Sequence, residues 1–144
     1  MVISADTSFL FSLYGNDVNS PAAVAHADSL TQPISLSRLN VFELSNAFRH
    51  AEFRKAIKPG EAALFEAHFQ TAIAQGRLVV MHSDLHSVLD EAEILSSKHS
   101  LNGGHRGFDI LQVAAAKTLS ATDFLTFDAN QKKLALAEGM NVPF

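Results

Sequence analysis

The sequence predicts an α/β fold: a three-layer α/β/α sandwich with a central, mostly parallel sheet of four or five strands. Three observations carry this expectation. Short apolar runs recur at residues 2–5, 34–36, 78–81 and 124–127, each the length of a buried strand. Between them lie longer segments whose apolar residues repeat at helical spacing. Polar residues follow two of the runs directly, Asp6-Thr7-Ser8 after the first and Asp128 after the last. The C-terminal edge of an open α/β sheet is where ligand sites form. With 144 residues and 47% hydrophobic composition, the chain fits one domain spanning 1–144 with a real core.

The elements follow in order. After the first strand, Phe9, Leu10, Phe11 and Leu13 suit a short buried helix that Gly15-Asn16-Asp17 ends. Ser20-Pro21 reads as an N-cap with proline at the first helical position, opening a helix to about Leu30. Gln32-Pro33 breaks it, and Ile34-Ser35-Leu36-Ser37 alternates as a second strand. A helix from about Arg38 to Lys55 places Leu39, Phe42, Ala47, Phe48 and Ala51 on one broad inward face, with Glu43 and Asn46 a turn apart beside it. Pro59-Gly60 restarts the chain, and Ala62, Phe65, Phe69 and Ile73 mark a helix closed by Gly76. Leu78-Val79-Val80-Met81 is the third strand, and Ser83-Asp84 caps a helix with Val88, Leu89, Ala92 and Leu95 inward. The segment 100–107 reads as the most flexible loop, leading into a helix from Phe108 to about Leu119. Phe124 to Phe127 is the fourth strand, Asn130 to Glu138 a last helix, and Asn141-Val142-Pro143 allows a short final strand.

Composition excludes several classes. There are no cysteines, which removes disulfides and thiolate metal sites and permits a reducing compartment, so a cytoplasmic location is expected. No apolar run approaches the ~20 residues that span a bilayer, and the N-terminus lacks a basic-then-apolar signal; no membrane association is expected. A formal charge of −4 argues against general electrostatic coating of nucleic acid, though not against a local basic groove.

Asp6 and Asp128 follow strands that, as parallel neighbours, release both carboxylates on one edge. Asp109 lies in the first turn of the helix before the last strand, and Glu43 in the second turn of the helix after strand two. Four carboxylates converging there would repel one another and raise each other's pKa unless a cation sat among them. An all-oxygen site suits Mg2+ or Mn2+, and phosphoryl transfer is the chemistry such a site serves best. Taken singly, each acid is equally explained as a helix cap or a solvated charge.

Ala5-Asp6-Thr7-Ser8, Glu43-Leu44-Ser45-Asn46-Ala47, the stretch from Arg106 through Asp109 to Ala116, and Phe124-Leu125-Thr126-Phe127-Asp128 together resemble the PIN domain, in its small VapC-like toxin branch. The resemblance spans nearly the whole chain with the four acids in family order. It implies metal-dependent RNA cleavage, leaving 5′-phosphate and 3′-hydroxyl ends, by the toxin of a toxin–antitoxin pair. By the same resemblance Asp6, Glu43, Asp109 and Asp128 are catalytic and hold Mg2+ or Mn2+. Thr7 or Ser8 would bond a bound water or a ligand carboxylate, Thr126 would steady Asp128, and Asn46 matches a polar position one turn after the family's Glu. Gln112 departs from the pattern, standing where many relatives carry His. Implied partners are an RNA substrate, a cognate antitoxin and a second copy of the chain, for which the Ala- and Phe-rich region 47–73 has apolar surface to spare.

Arg106 is the best candidate for gripping phosphate, since a guanidinium binds it in a fork. Arg49 and His105 are further possible RNA contacts, and Arg49, Arg54 and Lys55 could form a backbone-binding edge or a solvated helix face. His82 and His86 share a zinc-pair spacing, but a strand end and the Asp84 cap intervene, so a surface or structural role is expected. Phenylalanines at helical spacing read as core rather than stacking platforms unless exposed. Two other classes stay open: a catalytically weak PIN-like module binding RNA or protein, and another metal-dependent phosphohydrolase. Within the second, a haloacid-dehalogenase-type site would need an Asp where Ser8 stands.

Overall fold

Four three-residue strands, β1 (Ile3–Ala5), β2 (Ile34–Leu36), β3 (Leu78–Val80) and β4 (Asp123–Leu125), pair in the order β3-β2-β1-β4, all parallel. The computed structural model describes residues 1–144. Seven helices connect and cover the sheet: α1 (Thr7–Tyr14), α2 (Ser20–Ser29), α3 (Arg38–Phe53), α4 (Glu61–Ala74), α5 (Leu85–Gly103), α6 (Gly107–Thr118) and α7 (Ala129–Ala137). Parallel pairing requires crossovers, and the helices supply them. The result is the three-layer α/β/α arrangement.

The layers follow from strand alternation. Ile3, Ala5, Ile34, Leu36, Leu78 and Leu125 pack with Phe9, Leu44, Phe48, Phe65 and Phe69 in one core, covered by α1 to α4. Phe124, one residue out of phase with Leu125, packs instead with Leu95, Val113 and Leu134 beneath α5 to α7, because successive strand side chains point to opposite faces. On α6 the run Val113-Ala114-Ala115-Ala116 is buried throughout; small side chains let the helix lie close to both α5 and the sheet.

Four expectations need correction. Phe42 is not core: it is 62% exposed, because the inward stripe of α3 is Leu44, Phe48 and Ala51, and Phe42 lies two residues, about 200° of helical rotation, from Leu44. Leu89 is likewise 44% exposed beside the inward Val88, Ala92 and Leu95. The expected loop 100–107 is largely helix, since α5 continues to Gly103 and stops only where Gly104 turns left-handed at φ +63. The expected last strand is a single parallel bridge between Asp123 and Asn141, with Pro143 following and offering no N–H; the sheet therefore has four strands. No helix is long and apolar enough to cross a membrane.

The strands end early enough to matter. The ladder between β1 and β4 closes with Ala5 opposite Leu125 and the Asp6 N–H donating to the Leu125 carbonyl at 3.0 Å. Thr126, Phe127 and Asp128 thus lie just past the sheet's edge, level with Asp6, Thr7 and Ser8.

Candidate active site

Asp6 is the buried centre of that edge. It is fully buried and caps α1, its Oδ1 accepting from the Phe9 N–H at 3.0 Å and from Ser8 Oγ at 2.7 Å. Thr126 Oγ1 donates to Oδ2 at 2.6 Å. Burial nonetheless raises its pKa from 3.8 to about 6, the Asp128 charge adding to the rise while the three hydrogen bonds oppose it. Asp128 caps α7 in the same way, its Oδ1 accepting from the N–H groups of Asn130 (2.8 Å) and Gln131 (2.9 Å). Both strand-end acids are therefore helix caps and site residues at once, because the residue leaving a strand for a helix fills both positions.

Glu43 reaches the edge from α3 and Asp109 from the first turn of α6. Glu43 Oε2 accepts from Gln112 Nε2 at 3.0 Å. Gln112 is buried, and its Oε1 accepts from Asn40 Nδ2, which also donates to the Ala5 carbonyl at 2.9 Å. Asn40 in turn accepts from the Ser37 N–H at 2.8 Å in a capping box at the start of α3. A buried amide relay from β1 and α3 thus orients Glu43. Asp109 Oδ1 accepts from Gln131 Nε2 at 3.3 Å, and its Oδ2 lies 3.4 Å from Arg106 Nε.

All four acids line one pocket of about 490 Å³, together with Thr7, Ser8, Asp17, His50, Arg54, Arg106 and Gln131. A larger hollow of about 610 Å³ opens at the other edge, near Ile34 and Arg77, but its only acid, Asp28, lies against Arg77. The chemistry is concentrated in the first pocket. Thr126 sits behind it, holding Asp6 and accepting from the Asp128 N–H at 2.9 Å. Asn46 and Arg49 are exposed on α3 outside the pocket; Arg49 borders a separate hollow with Glu52 and Glu66. His105 also lies apart, between α5 and α7 with Lys98 and Lys133. His82 and His86 stay on the surface. Asn40, Asp17, His50 and Gln131 were not among the residues expected at the site. Only Asn40 carried a readable signal, standing three residues after the Ser37 cap.

No three His, Asp or Glu side chains stand in a closed ligand arrangement. Sharing a pocket is thus a looser relation than the tight quartet expected from the sequence. The oxygens present fit a hydrated hard ion, since Mg2+ is usually held by one or two carboxylates and keeps several waters. Two buried oxygens among the lining residues, Thr7 Oγ1 and Gln131 Oε1, have no hydrogen-bond partner, and each could accept from such a water.

No family model matches the chain, and no curated protein matches it. Solved structures do. The Mycobacterium tuberculosis VapC20 structure, described as a sarcin–ricin loop cleaving toxin, superposes with a TM-score of 0.72 at 15% identity, covering 96% of both chains. FitAcB from Neisseria gonorrhoeae superposes with a TM-score of 0.63 at 20% identity, covering 98% of this chain and 96% of the other. Similarity at these identities speaks for the fold: the chain has a VapC-like PIN fold.

Proposed function

We propose that the chain is a Mg2+- or Mn2+-dependent endoribonuclease and the toxin of a toxin–antitoxin pair. The observation that carries the reading is the delivery of Asp6, Glu43, Asp109 and Asp128 from four different elements to one pocket at the sheet's C-terminal edge. A similar structure is described as a sarcin–ricin loop cleaving toxin. Asp6, Glu43, Asp109 and Asp128 would hold the cation, which when bound supplies Lewis acidity toward water and a phosphate oxygen. Thr126 and Ser8 fix the Asp6 oxygens, Gln112 fixes Glu43, and Arg106 at the pocket mouth, 83% exposed, offers its guanidinium to a phosphate.

The test is incubation of purified protein with labelled RNA in Mg2+, in Mn2+ and in excess EDTA. Cleavage is expected only with metal, and it should be lost in Asp109→Asn. Cleavage that persists in EDTA would overturn the metal mechanism. The toxin role predicts growth arrest on expression and co-purification of a small partner encoded beside it; a homodimer predicts twice the chain mass by light scattering.

A second reading, a catalytically weak RNA- or protein-binding module, is favoured by the Arg106–Asp109 pair and the lack of a closed ligand set. Stable RNA binding without cleavage in either metal would select it.

A further inference from the structure

We infer that Phe53 is a base-stacking platform for single-stranded RNA, reached from the acidic pocket along one stripe of α3; the inference deepens the nuclease reading and rests on it. Glu43, Ala47, His50 and Arg54 all line the pocket. Their spacings of four, three and four residues place them one above another on a single helical face. The stripe therefore leads out of the carboxylates toward the His50 ring and the Arg54 guanidinium, the direction an RNA backbone must take to leave a cluster of like charge.

Phe53 stands at the end of this track. It is 82% exposed, although it lies on a helix that buries Phe48 completely. Its ring is stacked with that of His50, centroids 6.3 Å apart and planes inclined by 26°, so one edge of the pair belongs to the pocket and the other faces outward. Around it Arg54, Lys55 and Lys58 are exposed, and none takes part in a salt bridge. The one acid between residues 49 and 58, Glu52, is turned away: its Oε1 accepts from the Gly60 and Ala62 N–H groups at the start of α4. Unpaired cations with an exposed aromatic ring among them are the combination that binds single strands, the cations following the backbone and the ring taking a base face. Ten residues separate Glu43 from Phe53, about 15 Å along the helix, which corresponds to about four or five stacked nucleotides at ~3.4 Å each.

The experiment measures fluorescence anisotropy of a labelled single-stranded RNA 12-mer, the same oligomer with abasic sites, and a duplex RNA, with Asp109→Asn protein to prevent cleavage. Phe53→Ala is expected to weaken single-strand binding about 5- to 100-fold and to leave duplex binding unchanged. Phe53→Trp should restore it, and the abasic oligomer should bind both proteins at the weaker level. In the cleavage-competent background, Phe53→Ala should raise KM for the oligomer while hydrolysis of bis(p-nitrophenyl) phosphate stays at the wild-type rate. Equal single-strand affinity of Phe53→Ala and its parent would overturn the platform, as would equal losses for single-stranded and duplex RNA. A change in molar mass by light scattering on Phe53→Ala, with RNA affinity intact, would assign the face to a protein contact instead. If no RNA is cut but Phe53-dependent binding remains, the nuclease reading falls and the platform stands. If RNA is cut and Phe53 is indifferent to binding, only the platform falls.

Discussion

Thr126 Oγ1 donates a 2.6 Å hydrogen bond to Asp6 Oδ2 across 120 residues of sequence, and the same hydroxyl accepts from the Asp128 N–H at 2.9 Å. One hydroxyl therefore ties together the two acids that leave β1 and β4. Removing it leaves a buried carboxylate oxygen and a backbone N–H unpaired. Thr126→Val should destabilise the fold by about 1–3 kcal/mol and lower RNA cleavage about 10–100-fold. Thr126→Ser, which keeps the hydroxyl, should restore most of both; urea unfolding and the RNA cleavage rate measure them.

The buried charge on Asp6 has a pH signature. Burial raises its pKa from 3.8 to about 6, so between these values the folded chain keeps a proton that the unfolded chain has released. Its contribution to stability is full below pH 3.8, declines as pH rises through the window and levels off above about 6, a total of about 3 kcal/mol. Asp6→Asn removes this slope. In metal-free buffer the variant should gain stability relative to the parent chain from pH 4 to pH 7.5, while losing cleavage. A pH-independent difference in unfolding free energy would refute the assignment. With cation present the parent's slope should flatten, because a bound divalent ion favours the ionised carboxylate.

Gln112 holds Glu43 Oε2 at 3.0 Å from within the core. Gln112→Leu keeps the bulk but removes the donor and the acceptor that Asn40 uses. We expect a loss of about 1–3 kcal/mol in stability and a fall of about 10–100-fold in cleavage rate, seen in kcat rather than in RNA affinity. Unchanged kcat would show that Glu43 needs no such support.

Far from the pocket, Glu138 lies with its side chain 6% exposed, in contact with Lys117 and His99, each at 2.6 Å, and 3.8 Å from Lys98. Hydrogen bonds and the charges of Lys117 and Lys98 prevail over burial and lower its pKa, so its stabilisation is present at neutral pH and is lost as acid protonates it, opposite in sign to Asp6. Glu138→Ala leaves Lys117 with Glu91 alone, 2.6 Å away, takes away the partner of His99, and should cost about 1–3 kcal/mol. Cleavage per folded molecule should not change, which separates a stability effect from a site effect when thermal unfolding and activity are compared.

Local sequence determined the alternation of strand and helix, the caps at Asp6, Asp84 and Asp128, and the placing of two acids at strand ends and two within the first two turns of helices. Each of these depends on neighbours within a few residues, through hydrophobic period and capping chemistry. Which side of α3 faces inward was not settled that way. Leu39, Phe42 and Leu44 are all apolar, and only the packing of Phe48 against Phe11 and Phe65 selects the stripe that leaves Phe42 and Phe53 exposed. The amide relay through Asn40 and Gln112 and the Thr126–Asp6 bond were equally out of reach, since their partners lie 72 and 120 residues apart. Only the tertiary structure decided them, because a hydrogen bond across a parallel sheet depends on strand order and register, which the periodicity of one strand does not encode.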